Sequence, residues 1–275
     1  MKFFEKLALR QKKTLLCVGL DPDFELMPEG WPQNAAGVYD FCKRIVDATA
    51  DFAAAFKPQI AYFSAQGFER VLFDVISYIH AEYPEIPVIL DAKRGDIGTT
   101  AAQYAQEIFM RYEADATTIS PYMGRDSLEP WLEYDDHGLF ILCRTSNPGG
   151  ADLQNLKADN APIFEHVAKM VLECNANQQC GLVMGATYPD EIKKVREIAP
   201  DLPFLLPGVG AQGGSIAECV KAGFVSKENP GILLNSSRKI LYASRDSKDF
   251  EAAARNAAQT TRKIIQIARK MSSSN

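Results

Sequence analysis

Short apolar runs recur along this chain, and no other feature of the sequence restricts its fold as much. They occupy residues 14–20, 53–57, 88–90, 116–119, 138–143, 180–184, 204–206 and 231–234. Most of the gaps between them carry a helical period, at 38–52, 66–83, 98–112, 161–173, 189–198, 215–222 and, after the last run, 250–270. The fourth gap is short, and 126–132, interrupted by Pro130, has room for only a brief helix. Buried strands alternating with amphipathic helices imply a parallel sheet covered by helices. Eight such units close into a (β/α)8 TIM barrel, whereas six would favour a doubly wound α/β sheet. A chain of 275 residues suits the barrel, which typically fills about 250, and no Ser/Gly/Pro linker divides it. The expectation is a single α/β domain over 1–275, with 1–13 as an N-terminal helical extension and 271–275 as a frayed tail. The segment 147–160 is polar, glycine-rich and long for a βα loop, as a lid or binding loop would be.

The composition, 47% hydrophobic and 24% charged, is that of a globular protein. A formal net charge of −5 makes nucleic acid or an anionic membrane an unexpected partner. The N-terminal MKFFEKLALRQKK keeps charges inside its apolar stretch and has no small-residue cleavage site, so it does not read as a signal peptide. No apolar stretch approaches the roughly 18 residues of a membrane span. Six scattered cysteines without a CxxC read as core residues of a reducing cytoplasm. His80, His137 and His166 form no ligand-spaced cluster, so neither a zinc site nor a His-dependent triad is expected.

Polar residues fall where the runs end: Asp21, Lys57, Asp91 with Lys93, Ser120, Ser146, Pro207 and Ser236–Arg238. In α/β barrels the C-terminal strand ends form the active site. The densest of these stretches is VILDAKRGDIGTT, Val88 to Thr100. Strand alternation would put Asp91 and Lys93 on one side, and Gly95 lets the chain turn before Asp96. A surface ion pair followed by an Asp N-cap is the plainer reading of the same residues. Gly208, Gly210 and Gly213 spell GxGxxG, but a dinucleotide site belongs in an early βα unit with a ribose-binding acid at a strand end. Here the motif is late and Glu228 lies in a loop, so the glycines read better as a phosphate loop.

The array Asp91, Lys93 and Asp96 resembles the Asp-x-Lys-x-x-Asp signature of the orotidine 5′-phosphate decarboxylases. Five other segments match in order: GLDPD (19–23), FKPQ (56–59), TSNPGG (145–150), PGVGAQGG (207–214) and NSSRKI (235–240). The length and the spellings GLDPD and NSSR are most similar to the longer bacterial branch. The resemblance implies a TIM barrel that decarboxylates orotidine 5′-phosphate to UMP in pyrimidine biosynthesis without a cofactor or metal. It implies Lys93 as the acid that protonates C6, Asp91 facing the substrate carboxylate, and Asp96 completing the site of a partner subunit in a homodimer, with Ile97 and Thr100 nearby. Asp21 and Lys57 would hold the ribose, Ser146 the pyrimidine edge and Pro207 the pocket wall. Gln212, the backbone at Ser237, and Arg238 would hold the phosphate. Ser237 departs from the glycine that many relatives carry before the arginine.

The residue chemistry agrees. Loss of carbon dioxide from a ring carbon without an adjacent carbonyl sink leaves a localised carbanion, which needs electrostatic stabilisation and a nearby acid. An ammonium among carboxylates supplies both and makes a poor Schiff-base nucleophile. Two other functions stay open from sequence: a Mg²⁺-dependent keto-sugar-phosphate decarboxylase of the same superfamily, which shares the array, and a non-catalytic protein that binds a nucleotide phosphate.

Overall fold

The computed structural model describes residues 1–209 and 214–273. Eight parallel strands form the centre: β1 (Leu16–Leu20), β2 (Ala55–Pro58), β3 (Ile89–Arg94), β4 (Ala116–Ile119), β5 (Gly138–Arg144), β6 (Cys180–Met184), β7 (Phe204–Leu206) and β8 (Ile232–Ser236). Their order is β2-β1-β8-β7-β6-β5-β4-β3. Bridges Phe56–Val88 and Gln59–Asp91 join β2 to β3, so the sheet closes on itself. The fold is therefore the α/β TIM barrel that the recurring runs imply.

The surrounding helices follow from their apolar faces. The helix Ala35–Thr49 starts where the Asn34 side chain accepts the Gly37 N–H at 2.9 Å, and it buries Val38, Phe41, Cys42, Ile45, Val46 and Thr49. The last helix, Phe250–Ser272, buries Phe250, Ala254, Ala258, Thr261, Ile265 and Ala268, a single stripe at three- and four-residue spacing. Arg196, on the helix Pro189–Ile198, donates to the carbonyls of Ala199, Leu202, Gly223 and Gly231 and ties two loops at the barrel base. Burial lowers its pKa to about 10.

Inside the barrel the lowest layer takes one buried residue from each strand: Cys17, Ala55, Ile89, Ala116, Phe140, Val183, Leu205 and Leu233. Phe3 and Leu7 of the helix Phe3–Gln11 pack onto this layer from below. A Cβ on Gly138 would come within 2.1 Å of the Phe3 ring, so glycine is what lets the ring seat. Arg10 donates to the carbonyls of Ala50 and Ala53, and Gln11 donates to the Ile232 carbonyl at 2.9 Å. The segment read as an extension is thus the floor of the barrel.

β3 runs past its apolar run, through the polar residues to Arg94. The segment 147–160, long and polar as expected, holds a 3-10 turn (Pro148–Gly150), a helical turn (Ala151–Gln154) and the start of a two-stranded ribbon (Lys157–Ala158 with Ala161–Pro162). Gln154 Oε1 accepts the Thr145 N–H at 2.9 Å and ties the segment to the end of β5. All six cysteines are free, and five are buried. Among the described residues no helix is long and apolar enough to cross a membrane.

Candidate active site

Strand side chains on one face recur every second residue. Two residues beyond the apolar layer, the interior-facing positions include Lys57, Asp91, Thr118, Pro207 and Asn235. Here Lys57, Asp91, Thr118 and Asn235 are buried polar groups. The Asp91 carboxylate organises them. Its Oδ2 lies 2.7 Å from Lys57 Nζ, and its Oδ1 lies 2.7 Å from Lys93 Nζ and accepts the Thr118 hydroxyl at 2.7 Å. Burial alone would raise the Asp91 pKa, but the charges and hydrogen bonds of Lys57 and Lys93 outweigh it and hold the carboxyl well below the usual range. Burial alone would lower the Lys57 pKa. Asp91 and Asp21 overcome it and hold the ammonium above its ordinary value.

Lys93 reaches this carboxylate by a different route from simple alternation. Leu90 pairs with Thr117 and Arg94 with Ile119, so β3 carries extra residues between these two points. Within that bulge Lys93 sits at φ +45°, a left-handed conformation that costs a side chain about 1–3 kcal/mol. Its N–H donates to Thr118 Oγ1 at 3.0 Å. The Lys93 side chain is 46% exposed, so the ammonium stands at the mouth of the barrel, anchored from below by Asp91. Arg94 turns away, pairing with Glu107 at 3.2 Å and lying over the Tyr104 ring.

Asp96 is not the N-cap of the helix Gly98–Gln106; Ile97 holds that place. The Asp96 carboxylate accepts the Ile97 N–H at 2.8 Å, and among the described residues it forms no ion pair with Lys93. Ile97 and Thr100 are exposed. The structure therefore unites Asp91 with Lys93 and Lys57, and leaves the half-buried Asp96 and the exposed Ile97 and Thr100 outside that cluster.

A cavity of about 150 Å³ opens beside the lysines, lined by Asp21, Lys57, Asp91, Pro207, Gly208, Val209, Asn235, Ser237 and Arg238. Among the described residues, Asp21 Oδ1 and Asn235 Oδ1 are buried there without a hydrogen-bond partner, leaving two acceptors free to meet a donor. A Cβ on Gly19 would sit 1.8 Å from Ser237 Oγ, so the GLDPD glycine makes room for the turn into Arg238. Tyr242 fixes the same corner: its hydroxyl donates to the Asp21 carbonyl and accepts the Asp23 N–H, both at 2.6 Å. Gly208, at φ +94°, turns the chain out of β7. Arg238 is exposed at the start of the helical turn Arg238–Leu241, beside Ser237. Gln212, with Gly210 and Gly213 of the glycine motif, lies outside the described residues.

Ser146 does not line this cavity. Its backbone packs against Gly185, where a Cβ would come within 2.7 Å, and its carbonyl accepts the Thr187 hydroxyl at 3.2 Å. Among the described residues, no three His, Cys, Asp or Glu side chains converge as metal ligands. Sequence reasoning missed Thr118 and Asn235. Both lie two residues beyond an interior apolar residue, Ala116 and Leu233, and that spacing is the signal that could have found them.

The Orotidine 5′-phosphate decarboxylase / HUMPS family model matches residues 14–257. An orotidine 5′-phosphate decarboxylase of Cupriavidus necator is 55% identical over 96% of this chain and 98% of its own length. That of Aromatoleum aromaticum is 56% identical over 94% of this chain and 95% of its own. Among solved structures, OMP decarboxylase of Leishmania donovani superposes with a TM-score of 0.86 at 41% identity, covering 98% of this chain and 100% of that one.

Proposed function

The chain belongs to the orotidine 5′-phosphate decarboxylase family and converts orotidine 5′-phosphate to UMP in pyrimidine biosynthesis; from that premise we propose that Lys93 delivers the proton to C6 as carbon dioxide leaves. The keto-sugar-phosphate and non-catalytic readings give way to relatives that share more than half of their residues with this chain. The observation that carries the mechanism is the buried Asp91 carboxylate held by Lys57, Lys93 and Thr118. A fixed anion beside the departing carboxylate disfavours the bound ground state. The same anion aims an ammonium at the carbon where negative charge develops, so orientation and charge stabilisation are in place before the reaction.

In this reading Asp21 and Lys57 hold the ribose, Ser146 reads the pyrimidine edge and Pro207 lines the pocket. Gln212, the backbone at Ser237, and Arg238 hold the phosphate. Binding energy gathered at that remote anion serves the chemical step by closing loops over the substrate. Asp96, Ile97 and Thr100 complete the site of a second copy in a homodimer. Asp96, which stays out of the Asp91 cluster of its own chain, and the exposed Ile97 support this arrangement. Free, largely buried cysteines support a reducing compartment, which we take to be the cytoplasm.

The test follows loss of orotate-ring absorbance in excess EDTA. Rapid loss with wild-type protein and none with Lys93→Ala is the expected result, whereas metal dependence or an active Lys93→Ala would overturn the mechanism. For the dimer, inactive Lys93→Ala and Asp96→Ala proteins are mixed. Recovered activity, from hybrids with one intact site, is expected, and mixtures that stay inactive while exchanging subunits would refute the shared site.

A further inference from the structure

We propose that Thr118 is a positioning residue for the decarboxylation, holding both the carboxylate and the backbone from which the acid acts. The inference rests on the reading of Lys93 as that acid. Thr118 lies on β4 with its side chain in the barrel interior and is 1% exposed. A hydroxyl has one proton to give, and here it goes to Asp91 Oδ1 at 2.7 Å. The oxygen is then an acceptor for the Lys93 N–H, which reaches it at 3.0 Å. Lys93 Nζ in turn lies 2.7 Å from the same Asp91 Oδ1. The three residues close a hydrogen-bonded circuit that passes through both ends of Lys93.

The circuit stands where the strand ladder lapses. Between Leu90 and Arg94 the pairing of β3 with β4 is interrupted, and Lys93 adopts its left-handed backbone within that gap. A side-chain oxygen thus serves as the acceptor for the N–H of the residue in this strained position. Without it, the backbone loses a local restraint and Asp91 loses a fixed donor, so both ends of the acid can drift. Displacements of about 1 Å in a reacting group can cost on the order of 100-fold in rate.

The neighbouring Thr117 is a built-in control. It is as buried as Thr118, but its hydroxyl donates to the Leu90 carbonyl at 2.8 Å and touches neither Asp91 nor Lys93.

The experiment compares Thr118→Val, Thr118→Ser and Thr117→Val, reading kcat and KM for orotidine 5′-phosphate, affinity for UMP, and melting temperature. Thr118→Val is expected to lower kcat by about 10- to 100-fold with KM and UMP affinity nearly unchanged. Thr118→Ser restores most of kcat, and Thr117→Val lowers melting temperature alone. A folded Thr118→Val with wild-type kcat would overturn the proposal, as would a kcat loss that serine does not rescue or that UMP affinity follows in step. Should Thr118→Val not fold, Thr118→Ala against Thr118→Ser decides, because both lack the same methyl: a slow alanine variant supports the role, and equal rates refute it. An active Lys93→Ala would instead remove the premise, which keeps the two failures distinguishable.

Discussion

Two layers of side chains fill the same barrel, two residues apart on the same strands, and they obey opposite rules. The lower layer takes an apolar residue from every strand and is closed by Phe3 and Leu7. The upper layer places Lys57, Asp91, Thr118 and Asn235 in the same enclosed interior. Below, each side chain is interchangeable with another of similar volume. Above, each polar group depends on a particular partner, because a buried charge without one is expensive. The difference separates what makes the barrel stable from what makes it act.

The comparison can be broken most forcefully in the upper layer. Lys57→Met leaves Asp91 short of its buried partner and should destabilise the protein by about 3–5 kcal/mol. The double variant Lys57→Met/Asp91→Leu should regain most of that loss in urea unfolding and remain inactive; a double variant no more stable than the single would show that the layer also holds the fold. Next in size, Phe140→Ala in the floor should cost about 3–4 kcal/mol by cavity formation. Its folded fraction should turn over at close to the wild-type rate, and a specific loss of kcat would mean that the floor reaches into the chemistry.

Arg238→Ala sharpens the contrast from outside the enclosed interior. The residue is exposed, so melting should be unchanged while kcat/KM falls about 100-fold, near 2.7 kcal/mol at about 1.36 kcal/mol per decade. An unchanged kcat/KM would remove Arg238 from the phosphate site. The smallest effect is in pH. Asp115, beneath the barrel, is pushed up by burial but held lower overall by His80, Lys6 and the Val88 N–H. Asp91 is lowered too. Carboxyls whose folded pKa is depressed contribute stability that is present above the ordinary value near 4 and lost as pH falls through the folded value. Lys57, held above its ordinary value, contributes stability that is lost only as pH rises through that higher pKa. Melting temperature should therefore be flat across neutral pH and fall below about pH 4, with a shallower fall in Asp115→Asn; equal acid limbs would clear Asp115 of that role.

The sequence made the barrel legible because its strands are buried on both sides, and three runs, 116–119, 180–184 and 204–206, coincide with β4, β6 and β7. It was least legible where strand and site overlap. β3 continues past its apolar run through Asp91, Lys93 and Arg94, so the residues that end the strand are also those of the site. The meeting of Asp91 and Lys93 was legible, but its cause was not: alternation does not account for a bulge and a positive φ at a lysine, for which the sequence has no glycine to give warning. Thr118 belongs to no motif, and Asn235 opens the NSSRKI segment without a role of its own; both emerge as site residues only once the register assigns them to the interior. The separation of Asp96 from Lys93 depends on how the chain leaves β3, which a spacing cannot encode.

The floor of the barrel also sets an order of events during synthesis. Gln11 bonds the carbonyl of Ile232, 221 residues later in the chain, and Phe3 seats against Gly138 and Phe140 of β5. The helix Phe3–Gln11 therefore has no finished surface to rest on until the last strand is in place. Contacts that span so much of the chain form slowly and leave apolar side chains uncovered meanwhile. Closing the base is a late act of assembly performed by residues made well before the strands they cover.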